Sequence, residues 1–154
     1  MFGQVAAENS EPIAEARINN TSEIQLRDEI VGYAQKHLGT KYRPAGKTPG
    51  AFDCSGFVYH VMKEFEFRMA SCSGLQERQG KKITREEAQP GDLVFFRRSK
   101  KTRVFHVAMV LSNEDGNLTL IHSTSSRGVV IDKLKESAYW RSKIMTVRNV
   151  LGGE

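Results

Sequence analysis

The chain has 154 residues, enough for one domain with a sizeable core, and a formal net charge of +5 at pH 7. No stretch is apolar enough to span a bilayer, no repeat or low-complexity tract occurs, and the two cysteines, Cys54 and Cys72, form no Cys-x-x-Cys pair, which argues against a zinc site. The charge suits anionic partners such as nucleic acid, wall polymer or acidic peptide, and is otherwise the mark of a solvated basic surface.

Residues 1–20 are polar and lack periodicity, so they are expected to form a flexible N-terminal segment. They contain no apolar h-region; a cytoplasmic protein and one whose leader was removed both stay open. A first helix is predicted from Ser22, where Ser22 and Gln25 fit a capping box. Ile30, Val31, Ala34 and Leu38 form its apolar face, and Gly39 is its stop signal. The run Pro44-Ala45-Gly46-Lys47-Thr48-Pro49-Gly50 must be a loop. Asp53 is a natural N-cap for a second helix reaching about Glu66, whose stripe is Phe57, Val58, Val61, Met62 and Phe65. Residues 68–82 read as a polar loop with one short helical turn around Gly74–Gln79, and Cys72 as a small buried filler.

From Pro90 the period changes. Leu93–Phe96, Val104–Leu111, Leu118–Ser123, Val129–Ile131 and Met145–Val150 read as strands, with a polar segment carrying Tyr139, Trp140 and Arg141 before the last. Helices first and strands later predict an α+β domain with helices packed on an antiparallel sheet.

Within this frame Cys54 falls in the first turn of a helix. Unpaired backbone N–H groups and the helix dipole there favour a thiolate and can hold a developing oxyanion. A disulfide to Cys72 would consume this residue. A nucleophilic cysteine needs a base, and the base an orienting group. His37 closes the first helix and His60 lies six residues beyond Cys54, pointing away from it; both read as structural or solvated. His106 and His122 lie in the strands flanking Glu114-Asp115-Gly116-Asn117, which reads as a hairpin. A regular two-residue Asp115-Gly116 turn places these histidines on opposite faces. Catalysis by the pair therefore demands an odd loop or a bulge. With that condition met, Cys54 is the expected nucleophile, His106 its base and His122 the group orienting His106.

These residues resemble those of the NlpC-type cell-wall endopeptidases, a family of papain-like cysteine peptidases, from about Ile24 to Val150. Gly39-Thr40-Lys41-Tyr42-Arg43-Pro44-Ala45-Gly46 is similar to the family's Gly-x-x-Tyr-x-x-Gly-Gly run, with Ala45 replacing a glycine. Phe52–Val58 is similar to its nucleophile motif, Pro90–Phe96 to the segment before the histidine strand, His106–Val110 to the base motif and Ile121-His122-Ser123 to the strand with the third polar residue. The resemblance implies a papain-like fold, with N-terminal helices including that of Cys54 packed on a five- to six-stranded antiparallel sheet, and residues 21–154 as one catalytic domain. It implies cleavage of bacterial cell-wall stem peptides, commonly between γ-linked D-glutamate and a diamino acid, with no cofactor or metal. Tyr42, Asp53 and Ser55 match groove-lining positions; in members that require a free N-terminal L-alanine, the matching aspartate and tyrosine help bind its amine. The family often has an arginine where this chain has Ser71, while Ser73 stays a groove candidate.

The expected partner is peptidoglycan peptide. No stacked aromatic platform supports nucleic acid, and a monomer is favoured. The expected location is periplasmic, cell-envelope or secreted, with cytoplasmic wall recycling as the alternative. Two other readings share these residues: a cysteine-dependent acyltransferase or amidase of the same fold, and a non-catalytic wall-binding module. The basic run Arg97-Arg98-Ser99-Lys100-Lys101-Thr102-Arg103 is expected near the mouth of the site, either attracting anionic wall material or forming a solvated turn.

Overall fold

The computed structural model describes residues 21–152; the segment 1–20, expected to be flexible, lies outside the described residues. Helix α1 covers residues 21–35 and is already helical at Thr21, so Ser22 lies inside it instead of capping it. Arg27, Ile30 and Ala34 recur at one-turn spacing and are its buried face. Leu38, read as part of that face, is 45% exposed, because the helix stops at residue 35 and Gly39 turns the chain with φ +87°.

A small hairpin follows, β1 (Lys47–Thr48) and β2 (Ala51–Phe52), then α2 (Cys54–Glu64) and a single turn α3 (Ser73–Gln76). The sheet contains β3 (Lys81–Ile83), β4 (Leu93–Arg97), β5 (Val104–Glu114), β6 (Asn117–Thr124), β7 (Gly128–Lys133) and β8 (Ile144–Asn149). A 3₁₀ turn, Leu134–Glu136, and a short helix α4, Ala138–Arg141, precede β8. The strand order is β3-β8-β4-β5-β6-β7, with every neighbouring pair antiparallel. This is the helices-on-sheet arrangement expected from the sequence, with β1, β2 and β3 added.

Alternation along the strands divides the core in two. Leu93, Phe95, Val107, Met109 and Ile121 face the helices and meet Phe57, Val58, Val61 and Met62 of α2. Burying each large side chain contributes roughly 1.5–3 kcal/mol. Val94, Phe96, Ala108, Val110, Leu118 and Leu120 face the other way, under Leu134 and Trp140.

The hairpin between β5 and β6 decides how the histidines stand. Asp115 and Gly116 both have positive φ, so the turn is the two-residue form, and Glu114 pairs with Asn117. Pairing continues through Asn113–Leu118 and Ser112–Thr119, then shifts: Val110 pairs with Leu120, leaving Leu111 as an extra residue. This bulge restores the parity that brings His106 and His122 to one face. The β5–β6 ladder ends at Met109–Ile121, although β5 runs back to Val104 and β6 on to Thr124. The start of α2 meets the sheet where these strands part. There the Ser123 hydroxyl donates to the Phe52 carbonyl, 2.9 Å away.

Candidate active site

Helix α2 begins at Cys54 because Asp53 caps it. Asp53 Oδ1 accepts from the Gly56 amide at 2.6 Å and from the Ser55 hydroxyl at 3.2 Å, and Oδ2 accepts from the Ala45 amide at 3.1 Å. One carboxylate thus fixes both the helix start and the preceding loop. The Gly46 amide closes a turn on Arg43, and the Asp53 amide donates to the Gly46 carbonyl. That carbonyl lies where a side chain on Gly56 would be, so the loop can approach the helix only over a glycine.

Cys54 is half-buried, and burial pushes its thiol up to about 11. The neighbouring backbone at Val107, and less so that at Ser55, pulls the other way, while the charge of Asp53 raises it further. The thiolate expected from the helix terminus is therefore not the resting form: desolvation outweighs the dipole. Cys72, expected to be a buried filler, is exposed instead, and both cysteines are free.

His106 and His122 are brought together. His106 Nε2 lies 2.8 Å from His122 Nδ1, with the two rings nearly perpendicular. His106 is 6% exposed and His122 fully buried. Burial, and secondarily the neighbouring His122, holds His106 well below 6.5. At neutral pH the site thus contains a neutral thiol and a neutral imidazole able to accept its proton.

Two further residues complete this corner, and neither was singled out from the sequence for the site. Trp140 of α4 stacks on His106 at 4.4 Å between ring centroids and meets His122 edge-on at 5.2 Å. Asp132 of β7 accepts from His122 Nε2 at 2.7 Å through Oδ2, and Arg127 donates to both of its oxygens, at 2.7 and 3.1 Å. The hydrogen bond from His122, then those from Arg127, hold the Asp132 carboxyl far below the ordinary carboxylate range.

A cleft of about 510 Å³ opens on this corner, and Cys54, His106, Tyr42 and Trp140 line it. Its remaining walls are the hydroxyl-rich run Ser123–Ser126 at the end of β6, Arg127, Ser137, Tyr139, Phe105 and Arg98, whose guanidinium rests 4.2 Å above the Phe105 ring. The Tyr42 hydroxyl is pushed up by burial and then by its neighbours Cys54 and Asp53. The other groove candidates stand outside this lining. Asp53 is occupied as the cap; Ser55 is buried and donates to Asp53 and, at 3.5 Å, to the Ser71 carbonyl; Ser73 opens α3. A larger hollow of about 690 Å³, lined by Tyr59, Lys63 and Phe67, contains none of the cysteine–histidine group. His60 bonds the Tyr33 hydroxyl and His37 bonds the Tyr33 carbonyl, both within an aromatic cluster away from the cleft. Among the described residues no set of three or more His, Cys, Asp or Glu is arranged to hold a metal ion.

The model of the NlpC/P60 family matches residues 39–149. This chain belongs to the NlpC/P60 family. A murein DD-endopeptidase/murein LD-carboxypeptidase of Escherichia coli (strain K12) is 31% identical over 134 residues, 86% of this chain and 68% of that protein. A γ-D-glutamyl-L-lysine dipeptidyl-peptidase of Bacillus cereus is 35% identical over 80% of this chain but only 36% of its own length. Among solved structures, an NlpC/P60 family protein from Bacillus cereus superposes with a TM-score of 0.74 at 32% identity, covering 81% of this chain and 40% of that one. The NlpC/P60 domain of the peptidoglycan hydrolase SagA superposes with a TM-score of 0.65 at 30% identity, covering 78% and 95%. The chain thus spans less than half of the length of either Bacillus cereus match. The NlpC/P60 match takes in the loop of Tyr42, the start of α2 and both histidine strands.

Proposed function

We propose that this NlpC/P60 chain is a cysteine peptidase that hydrolyses cell-wall stem peptides, acting at the cell envelope. The observation that carries the reading is His106, bonded to His122 at 2.8 Å and sharing a cleft with a cysteine at a helix start. Cys54 Sγ attacks the scissile carbonyl carbon as His106 takes the thiol proton. The backbone N–H of Cys54 faces the oxyanion. Collapse expels the amine, which His106 protonates, and leaves an acyl group on Cys54 as a thioester. Water then attacks the thioester, His106 takes its proton, and the acid departs as the thiol is restored. His122 orients His106 throughout, and no step needs a metal or cofactor.

The cleft suits an anionic peptide. Arg98 and Arg127 stand on its walls, and the exposed Ser125 and Ser126 offer hydroxyls to a peptide backbone, whereas those of Ser123 and Thr124 are already bonded within the protein. Tyr42 borders the thiol and is the groove candidate best placed to touch substrate. Asp53 already accepts three hydrogen bonds and Ser55 is buried, so in this reading they shape the groove through the loop and the helix start. The proposed bond joins γ-D-glutamate to the diamino acid. The name of the Bacillus cereus relative supports this choice, while that of the Escherichia coli relative points to other stem bonds. Incubation with defined linear and cross-linked stem peptides, followed by mass analysis, tests it. Fragments ending in γ-D-glutamate are expected, chelator should not inhibit, and the Cys54→Ala protein should form none.

A further inference from the structure

The cleft geometry leaves one nitrogen of His106 to do chemistry. Its Nε2 is engaged with His122, so only Nδ1 remains to receive the Cys54 proton. Nδ1 can do so only if the ring carries its proton on Nε2. Two tautomeric arrangements satisfy the His106–His122 hydrogen bond equally well. In one, His106 Nε2–H donates to a bare His122 Nδ1. In the other, His122 Nδ1–H donates to a bare His106 Nε2, and His106 Nδ1 then carries the proton and cannot act as a base.

We infer that Asp132, clamped by Arg127, selects the productive arrangement and is a positioning residue for the proposed peptidase chemistry. An ionised carboxylate only accepts hydrogen bonds. Asp132 Oδ2, 2.7 Å from His122 Nε2, therefore requires the His122 proton on Nε2. With its single ring proton on Nε2, His122 is bare at Nδ1, so His106 donates from Nε2 and His106 Nδ1 is left with its lone pair. The choice made at β7 is transmitted across two rings to the thiol side of the cleft. Arg127 keeps Asp132 both ionised and aimed. Its guanidinium grips both carboxylate oxygens, and its own side chain is 48% exposed on the cleft wall. The register permits this chain of contacts, because Asp132 pairs with Leu120 and so shares the β-sheet face of His122. Trp140 packs against both rings from α4 and limits their rotation, but it has no acceptor to choose between tautomers.

The inference rests on the peptidase reading, so its test includes two readouts that need no substrate. In a Cys72→Ser background, which removes the other free thiol, ¹⁵N-labelled histidine spectra at neutral pH should show protonated Nε2 and bare Nδ1 on both His106 and His122. Asp132→Ala should mix the two tautomers on both rings, and Asp132→Glu should restore part of the original pattern. The rate of Cys54 alkylation by iodoacetamide should fall several-fold in Asp132→Ala. On stem peptide, kcat should fall about ten- to a hundredfold with KM little changed, up to the lower end of what general acid–base assistance supplies, as befits a residue that positions the base. Arg127→Ala should produce a smaller change in the same direction, partly recovered by Arg127→Lys. Asp132 lies on an edge strand, and circular dichroism of each variant should match that of the parent. A proton on His106 Nδ1 in the parent protein, or unchanged spectra and alkylation in Asp132→Ala, would overturn the inference. A parent protein with the expected spectra and alkylation but no cleavage of any stem peptide would instead count against the peptidase reading alone.

Discussion

In the proposed mechanism the protonation states of Cys54 and His106 set how activity responds to pH. Burial moves both groups toward their neutral forms, the thiol up to about 11 and the imidazole below 6.5. Between those limits the thiol still has a proton to give and the imidazole can take it. The kcat/KM profile should therefore hold a broad plateau through neutral pH, with its acid limb below pH 6.5 and its alkaline limb where the thiol ionises. An acid limb well above 6.5 would contradict this pairing. The stability sign follows as well. The folded state binds fewer protons at His106 than the unfolded chain does below 6.5, so that contribution is lost as pH falls through this range, readable in thermal melts. His106→Ala should lower kcat by about 10²–10⁴-fold and His122→Ala by less, because in the proposed mechanism one transfers the proton and the other orients.

At the scale of elements, the site depends on close approaches of backbone. Gly56→Ala would drive a methyl group into the Gly46 carbonyl, and neither partner is a flexible side chain. It should cost about 2 kcal/mol or more and move Cys54 off its position, seen as reduced unfolding midpoint together with reduced kcat. Ala45 has φ +58°, where the resemblance leads one to expect glycine. Ala45→Gly should relieve left-handed strain, less the entropy of a freer unfolded chain, for a net gain of about 0.5 kcal/mol. The Arg27–Asp92 pair joins α1 to the turn before β4, with side chains 2% and 1% exposed. Removing Arg27 strands a buried carboxylate that desolvation already pushes up, so Arg27→Ala should destabilise by about 3–5 kcal/mol in denaturant titration.

The elements also explain what the sequence could reveal. The Asp53 cap, the stripe from Phe57 to Met62 and the hairpin at Glu114–Asn117 are local, and each is readable because its signal lies within a few residues. The bulge at Leu111 was legible only as a requirement. Its position depends on how β5 packs against β6, not on Leu111 itself. Asp132 and Trp140 carried no sequence signal for the site, because each meets the histidines only through strand register or the docking of α4. The resting sulfur departs from what the helix terminus alone favours, since burial of Cys54 depends on the sheet folded around it. Cys72 departs from expectation for the converse reason: a small, often-buried residue type sits on an exposed loop.

For the molecule as a whole, charge and cleft point the same way. The net charge is +5, and the end of β4 and the turn to β5 gather Arg97, Arg98, Lys100, Lys101 and Arg103, with Arg98 on the cleft wall. Binding to anionic cell-wall fragments should therefore weaken as salt rises. Replacing these five cations by glutamine should weaken it several-fold and flatten the salt dependence, while cleavage of a short soluble stem peptide changes less. An unaltered salt response in the neutralised protein would make the run a merely solvated turn. Among the described residues no helix is long and apolar enough to cross a membrane, and the cleft is built entirely from residues 42–140. A chain beginning at Thr21 should thus cleave stem peptide as the full chain does.

The most direct test compares defined stem-peptide cleavage by the parent protein and by Cys54→Ala, each verified as folded by circular dichroism. The account predicts cleavage at one bond by the parent, an acyl adduct on the Cys54 peptide in rapidly quenched samples, and no product from Cys54→Ala. Undiminished cleavage by the folded Cys54→Ala protein would contradict it.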